Sequence, residues 1–497
     1  MPNRLEFRKE LLTIARNYTL RITDSCPNNI SENIITTGHQ AIWHHCGIWS
    51  KNLTTCKFAN AVDGNSVHLV LDHDICDTAM LLPKKDSERN WYLEKIGIEF
   101  GQKNIPLEFR PLPSKQHIKT FFDAVIKAYA GQFCTDIWSE CIALKNEKIS
   151  YFDNIADLIT HLQAVLNTSL GLNMLYLPVS KFSDSNAFIN FVTSIILDAD
   201  NFSTIYNDMV KRQINELKMN RRNTVQHLKL DKAKGLVELP FWLLLPDGKR
   251  RSLYVRSQKS GTIEIGTAST VLVNLDSVSL DGKAQQLKNM LKQINYRLRP
   301  KAVSLTLFAR LFLADWFVHG VGGVLYESVT NHMIENYYRK EPLKYGITTT
   351  TMTLPISNNL DFSRKDISQL KHELHSIKHN PEKHIDESIL KEESVTSLLQ
   401  AKRQAIARAK DRSLSKTERE LAWDSLFRIN ERLSEYTDQV TNTLKRRIEE
   451  IEKDKISQEV CNCREYFFGL FPEEKIRKLV ESFTFPDQIN KALQPAI

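Results

Sequence analysis

Apolar positions along the chain follow two rhythms. Short β-prone runs, Ile34-Ile35-Thr36-Thr37, Val67-His68-Leu69-Val70-Leu71 and Met174-Leu175-Tyr176-Leu177-Pro178, alternate with stretches of helical spacing at 153–168 and 186–218. Apolar runs bounded by Gly, Asp or Pro read as strands, and strands separated by helices of this length predict a mostly parallel sheet. Residues 1–30 read as a helical lead-in. The pattern then changes. Leu236 to Leu245, the turn Pro246-Asp247-Gly248 and Ser252 to Arg256 predict a hairpin, with further strands at 262–266 and 271–273. Ala302–Leu307 returns to the core and leads into the apolar window Leu305–Val318, read as a buried helix.

Beyond about residue 362 the pattern is helical throughout. Ile367, Leu370, Leu374 and Ile377 step by three and four, Pro381 interrupts, and a second helix is predicted over 386–411. Ala422, Leu426, Ile429, Leu433, Tyr436, Val440, Leu444, Ile448 and Ile451 then make a long a/d-type seam. Ser415 and Glu418 have the spacing of a capping box at its start. At about 1.5 Å per residue this helix would span roughly 60 Å. Its seam needs cover from an antiparallel partner helix, a second subunit, or both. The aromatic stretch 464–472 is expected to dock back on a globular surface, ahead of a short helix at 474–483.

The expected architecture is therefore α/β: a parallel-sheet core in 1–235, an antiparallel β insertion in 236–280, the core's second part with a glycine-rich segment in 281–362, a helical coiled-coil arm in 363–460 and a docking segment in 461–497. With 42% apolar and 25% charged residues, the composition is that of a folded chain. The window Leu305–Val318 is too short for a bilayer span and holds Arg310 and Asp315, so no membrane partner is expected. A net charge of +8 over 497 residues is mild. The short basic runs Arg221-Arg222, Lys249–Arg251 and Lys445–Arg447 are sparser than the patch of a dedicated nucleic-acid binder. The stretch from Pro2 to Glu10 lacks the apolar core of an export signal, and the eight cysteines have no framework spacing. Reduced thiols and a cytoplasmic location are expected.

Three clusters carry the candidate chemistry. Thr37-Gly38-His39-Gln40 closes a strand, where glycine admits a ligand to the backbone, His39 can move protons and Gln40 can donate; the alternative is an ordinary glycine turn. Asp72-His73-Asp74 closes the next strand and offers two carboxylates flanking an imidazole, as base and orienter or as metal ligands; the alternative is a polar loop. In extended chain 72 and 74 share one face while 73 points away, so the three need not converge. His319-Gly320-Val321-Gly322-Gly323 follows the apolar window, with Gly322 and Gly323 suited to close backbone approach; the alternative is a helix C-cap. His39, His44, His45, Cys46, Cys56, His73 and Cys76 are zinc-capable but lack paired ligand spacing, so no metal is assigned.

In their order, these pieces resemble the cysteine-adding enzyme family of bacillithiol biosynthesis. That family has a T-G-Q-Q…G-L-F-type stretch, a D-H-D stretch, a Y-V-G-G-P-G-E-type segment after an apolar Arg/Pro-containing region, and a long coiled coil. This chain offers Thr37-Gly38-His39-Gln40 with Trp43 and Gly47, then Asp72-His73-Asp74, then Pro300, Arg310, His319 and Gly320–Gly323, then the helical arm. It departs from the family where His39 replaces a Gln, where Val324-Leu325-Tyr326-Glu327 replaces P-G-E, and in the hairpin insertion. The resemblance implies a Rossmann-like core, a coiled-coil homodimer, nucleotide binding, and amide formation between cysteine and a sugar–malate acceptor.

The leading expectation is a ligase or transferase acting on a small anionic or sugar-linked molecule. His39, Asp72, His73 and Asp74 form the catalytic set; Gly38, Gln40, Arg310, His319, Gly322 and Gly323 form the substrate- or nucleotide-binding set. Amide formation needs an activated carboxylate, which makes ATP the candidate cosubstrate, with its phosphates on strand-end glycines because no P-loop is present. The alternatives are a non-catalytic scaffold assembling through the arm, and nucleic-acid contact by the arm.

Overall fold

The computed structural model describes residues 4–23, 26–27, 31–87, 91–98, 104–129, 151–217, 225–231, 233–257, 262–276, 280–354 and 364–485. In chain order its strands are β1 (Ile34–His39), β2 (Asn65–Val70), β3 (Met80–Lys85), β4 (Trp91–Ile96), β5 (Leu175–Pro178), β6 (Leu230–Asp231), β7 (Leu236–Leu244), β8 (Arg250–Ser257), β9 (Ile263–Gly266), β10 (Val271–Leu275), β11 (Arg297–Pro300), β12 (Trp316–His319) and β13 (Tyr345–Ile347). The chain divides into two units. The first comprises Met1–Leu82, Glu94–Met352 and Arg464–Ile497; the second comprises Pro83–Leu93 and Thr353–Cys463.

Five strands of the first unit form a parallel sheet in the order β13-β12-β1-β2-β5. All of β2 and the first four residues of β1 are buried, as a sheet covered on both faces requires. Successive side chains of a strand point to opposite faces. Ile34 joins a cluster with Leu11, Leu12 and Ala15 of the helix Arg4–Thr23, whereas Ile35 joins Phe58 and Ala59 of the helix Cys46–Ala61. These two helices therefore cover opposite faces. Asp315, beside β12, accepts from the backbone N–H of Ile34 at 2.9 Å and pairs with Arg8 at 2.7 Å, which sets the start of the β1/β12 pairing.

The second sheet is antiparallel, in the order β10-β9-β8-β7-β11, with β6 also on β7. It extends past the expected 236–280 span. β11, with two arginines and a proline in four residues, carries no apolar alternation that would mark it as a strand. Phe241 of β7 meets Phe188 and Phe191 of the helix Asn186–Leu197 edge-to-face. The β7/β8 register shifts between Leu239 and Trp242. Pro240, inside that shift, lacks an N–H, and its carbonyl accepts from Lys301 N at 3.0 Å and from the Ser304 hydroxyl.

The apolar window Leu305–Val318 is not one helix. A helix over Ala302–Phe308 passes into a π-helical turn, Ala309–Leu313, and the chain then straightens into β12. An unbroken apolar run does not separate buried helix from buried strand. The glycine cluster after His319 thus follows a strand rather than capping a helix.

In the second unit the expected long helix is two, Lys416–Ser434 and Asp438–Cys461, joined by the 3-10 turn Glu435–Thr437. The capping box at Ser415 and Glu418 is present. Leu433 joins a cluster with Val395 and Leu398 of the helix Glu393–Lys410, and Lys371 of the helix Arg364–His379 pairs with Glu452 at 2.7 Å. The seam residues Ala422, Leu426, Leu433, Leu444, Ile448 and Ile451 are buried within this one chain, while Val440 is exposed. Among the described residues no helix is long and apolar enough to cross a membrane.

Among the enclosed ion pairs, one ties β11 to the short turn Leu107–Phe109. Arg299 of β11 grips Glu108 through Nε to Oε1 and a terminal nitrogen to Oε2, both at 2.8 Å, and Arg297 adds a contact at 3.1 Å. Burial alone would raise the Glu108 carboxyl, but the Arg299 guanidinium outweighs it and holds the group below its ordinary range. The folded value lies below the unfolded one, so this contribution to stability is present above the unfolded carboxylate pKa of about 4.3 and fades as pH falls. Glu108→Ala leaves a buried guanidinium unpaired and should lower the unfolding free energy at pH 7 by ~3–5 kcal/mol. Replacing both partners by apolar residues should cost much less; urea unfolding of the single and double variants checks this.

Candidate functional site

The chain winds off the β1/β12 pair in opposite directions, from β1 toward β2 and β5 and from β12 toward β13. Where strand order reverses in an open parallel sheet, the connections leave a crevice beyond the carboxyl ends. A cavity of about 630 Å³ lies there, lined entirely by the first unit. Pockets for nucleotide- or drug-sized ligands run to roughly 300–1,000 Å³. Gly38, His39 and Gln40 enter it from the end of β1, His73 and Asp74 from the turn after β2, and His319 and Gly320–Gly323 from the end of β12. Trp242, Pro300 and Lys301 of the antiparallel sheet close another side, and Arg464 and Glu465 also reach it.

Two glycines are set by close approach. A Cβ at Gly38 would stand 2.9 Å from Leu69 Cβ, and one at Gly323 would stand 2.7 Å from His319 Nδ1. The Gly320–Gly323 turn leads directly into the helix Val324–Asn336, and the helix Cys46–Ala61 starts at the same cavity with Gly47 and Ile48. Two helix N-termini, each carrying partial positive charge, therefore open on one space, and the first turn of Cys46–Ala61 is already capped there: Gly47 N–H donates to His45 Nδ1 at 3.0 Å and Ile48 N–H to the His45 carbonyl at 2.9 Å.

Of the ten residues expected at the site, eight line this cavity and two do not. Asp72 is buried away from it. Its Oδ1 accepts from Ser180 N at 2.9 Å and its Oδ2 from the Ser180 hydroxyl, which ties the turn after β2 to the end of β5. Arg310 is likewise absent from the lining. It is buried against Glu327 and Asn331 and donates to the Leu343 carbonyl, so it acts through neighbours rather than on a ligand. Glu327 Oε1 in turn lies 2.7 Å from His319 Nε2, a close approach without hydrogen-bonding geometry.

The remaining pair of the Asp72-His73-Asp74 turn divides its tasks. Asp74 accepts from Gln40 at 2.9 Å and from Arg250 at 3.1 Å, so its charge is already matched. His73 Nε2 donates to the Pro300 carbonyl at 3.1 Å, and burial lowers its pKa, so the ring is neutral. Nδ1 is then a lone-pair acceptor; it is buried and has no partner among the described residues. His39 is also held neutral, by burial, by Lys51 and by the neighbouring His44 and His68. The rings of His39 and His44 are 5.1 Å apart and those of His44 and His68 5.6 Å.

The strongest cation of the site gave no motif. Lys51, on the buried helix Cys46–Ala61, donates to the Gly38 carbonyl at 2.7 Å, and burial pushes its pKa down to about 7. The available signal was a lone lysine between Trp49 and Leu53 in an aromatic-rich helix, where a charge can persist only beside a polar space. Trp242 was also missed. Arg250 and Lys301 stand over its ring at 5.0 and 4.3 Å. Lys301 is matched by Glu238 at 2.8 Å.

The cavity offers the buried Lys51 amine, which donates to the Gly38 carbonyl, and at His39 and His73 imidazoles whose pKa burial lowers and which can accept or relay protons. Among the described residues, no three His, Cys, Asp or Glu side chains come together as a metal site. No protein-family model matches the sequence, and no curated protein matches it either.

Asp72 provides a test of the placement. Burial and Glu108 raise its carboxyl to about 7. Its folded value therefore exceeds the unfolded value of about 3.9, and its contribution is fully present at low pH and lost as pH rises through 7. Asp72→Asn, which mimics the neutral acid, should raise the melting temperature relative to the parent at pH 8 and change it little at pH 4. A variant with no pH-dependent difference would contradict the buried placement.

Proposed function

We propose that this chain is an enzyme of the ligase or transferase type that takes a small anionic, sugar-linked substrate at the carboxyl rim of its parallel sheet. The observation that carries the reading is the meeting of Gly38-His39-Gln40, His73-Asp74 and His319–Gly323 around one cavity, from three strand ends far apart in sequence. The strand order, winding both ways from the β1/β12 pair, supports a Rossmann-like reading of the sheet. The same clusters carry the resemblance to the cysteine-adding enzymes of bacillithiol biosynthesis, which supports amide formation as the reaction class; His39 in place of a Gln and the absent P-G-E put the acceptor in a divergent branch.

Within this reading, the helix N-termini and Lys51 hold the anionic end of the substrate. His73 Nδ1 accepts the proton of an attacking amine, and His319, beside Glu327, exchanges a proton with the leaving or accepting oxygen. The cavity volume of about 630 Å³ supports ATP as the cosubstrate, which would supply the activation of the carboxylate. A scaffold role draws support from one observation. Trp423 and Phe427, a turn apart on the helix Lys416–Ser434, are 54% and 62% exposed, a costly pair that supports a homodimer through the arm.

Three experiments test these readings. Thermal unfolding of the full chain with ATP, inorganic pyrophosphate and L-malate, together with native mass spectrometry of retained small molecules, should show a bound anion. A ligand at one hundred times its Kd adds about 2.7 kcal/mol of stability. Incubation with ATP, cysteine and a glucosaminyl-malate should yield a product lighter than the two reactants by one water. No shift with any anion and no retained molecule would remove the enzyme reading. Light scattering should give a dimer for the parent and a monomer for Trp423→Glu/Phe427→Glu; a monomeric parent would remove the dimer.

A further inference from the structure

Lys51 is only 5% exposed, yet it lines the cavity. One of its three N–H donors goes to the Gly38 carbonyl at 2.7 Å. The titratable groups that face it are His39 at the end of β1, His44 and His45 ahead of its own helix, and His68 on β2. None of these is a carboxylate. On the cavity lining Asp74 is engaged with Gln40 and Arg250, and the exposed Glu465 lies 3.8 Å from His45. A buried ammonium without a counter-ion is costly. Across the cavity Gly320 faces its stem, where an added Cβ would come within 3.6 Å of Lys51 Cδ. The loop Gly320–Gly323 and the end of β1 thus flank Lys51 where it meets the cavity.

We propose that Lys51 is the anchor for the anionic group, carboxylate or phosphate, of the substrate, pairing with it between the Gly38 strand end and the Gly320–Gly323 loop. The inference rests on the cavity being the substrate site and names the residue that recognises the charge. It has a consequence for protons. In the free protein burial holds the amine near pH 7. A bound anion favours the charged form, so at pH 8 one proton passes from solvent to the Nζ lone pair as the anion enters, and no covalent bond to the ligand forms. At pH 6 the amine is already charged. His39, His44 and His68 are lowered by burial and are neutral at pH 8 with or without ligand.

The test is isothermal titration of the full chain with inorganic pyrophosphate and, separately, with L-malate, in two buffers of different ionisation enthalpy. At least one anion should bind with uptake of close to one proton at pH 8 and much less at pH 6. Lys51→Met should weaken that binding at least tenfold and abolish the uptake; Lys51→Arg should retain binding without uptake. The tighter of the two anions identifies the group. Binding to the parent with no proton uptake at pH 8, or equal binding by Lys51→Met, overturns the assignment and leaves the cavity reading intact. Failure of the parent to bind pyrophosphate, malate or ATP removes both. The uptake is measured on the parent, so the outcome does not depend on how well a variant folds.

Discussion

The buried pair between Arg299 and Glu108 is the constraint on which the site's shape depends. Glu108 sits on a short turn whose backbone N–H groups hold the carbonyls of Asp72 and Asp74, at 2.8 and 3.0 Å for Glu108 and Leu107. Arg299 sits on β11, next to Pro300, whose carbonyl receives His73. The pair therefore clamps the turn after β2 to the antiparallel sheet, and with it the separation between the strand rim and the wall of Trp242 and Lys301. Enclosed ion pairs add little net stability over an apolar substitute. What this one contributes is position: its two-pronged geometry allows a single relation between the two sheets.

Around that frame the electrostatics are asymmetric. Asp74 is matched by Arg250, the exposed Glu465 lies near His45, and burial lowers the pKa of His39 and His73. Lys51, bonded to the Gly38 carbonyl, and Arg464, which donates to the Thr349 hydroxyl, supply positive charge to the lining without a carboxylate partner among the described residues. The buried polar groups outside the cavity, Asp72 with Ser180 and Arg310 with Glu327, support the strand ends without touching the space they frame. His319 shows the link between the two layers, since the same Glu327 that neutralises Arg310 also lies 2.7 Å from its ring.

How much of this could be read from residues alone depended on whether the signal was local. The starts of β1, β2 and β5 were legible as apolar runs with a terminal Gly, Asp or Pro, and Pro246-Asp247-Gly248 and Ser415/Glu418 marked a turn and a cap through their own chemistry. β12 was hidden, because its four residues continue an apolar run whose first part is helical, and β11 was hidden by its arginines. At the site, glycine and histidine at strand ends were visible, since close approach needs glycine wherever it occurs. Asp72 was misplaced because strand alternation does not say which neighbour receives a side chain; Ser180 lies more than one hundred positions away. Lys51 was invisible for the converse reason. Its meaning comes from what surrounds it, and a lone lysine in a helix carries no spacing to recognise.

The second unit is written into the middle of the first. Arg464–Phe471, which follows it, returns to the first unit: Phe468 N reaches the His44 carbonyl at 2.9 Å, its ring stacks on Trp49, and Arg464 and Glu465 join the cavity wall. During synthesis the strands from β1 to β13 can pair while the cavity still lacks one side, and the stretch Thr353–Cys463 must leave the ribosome before that side arrives. Trp43 and Trp49 meet Phe467 and Phe468 only then, so the cavity wall is completed by Arg464–Phe471 rather than by the sheet alone.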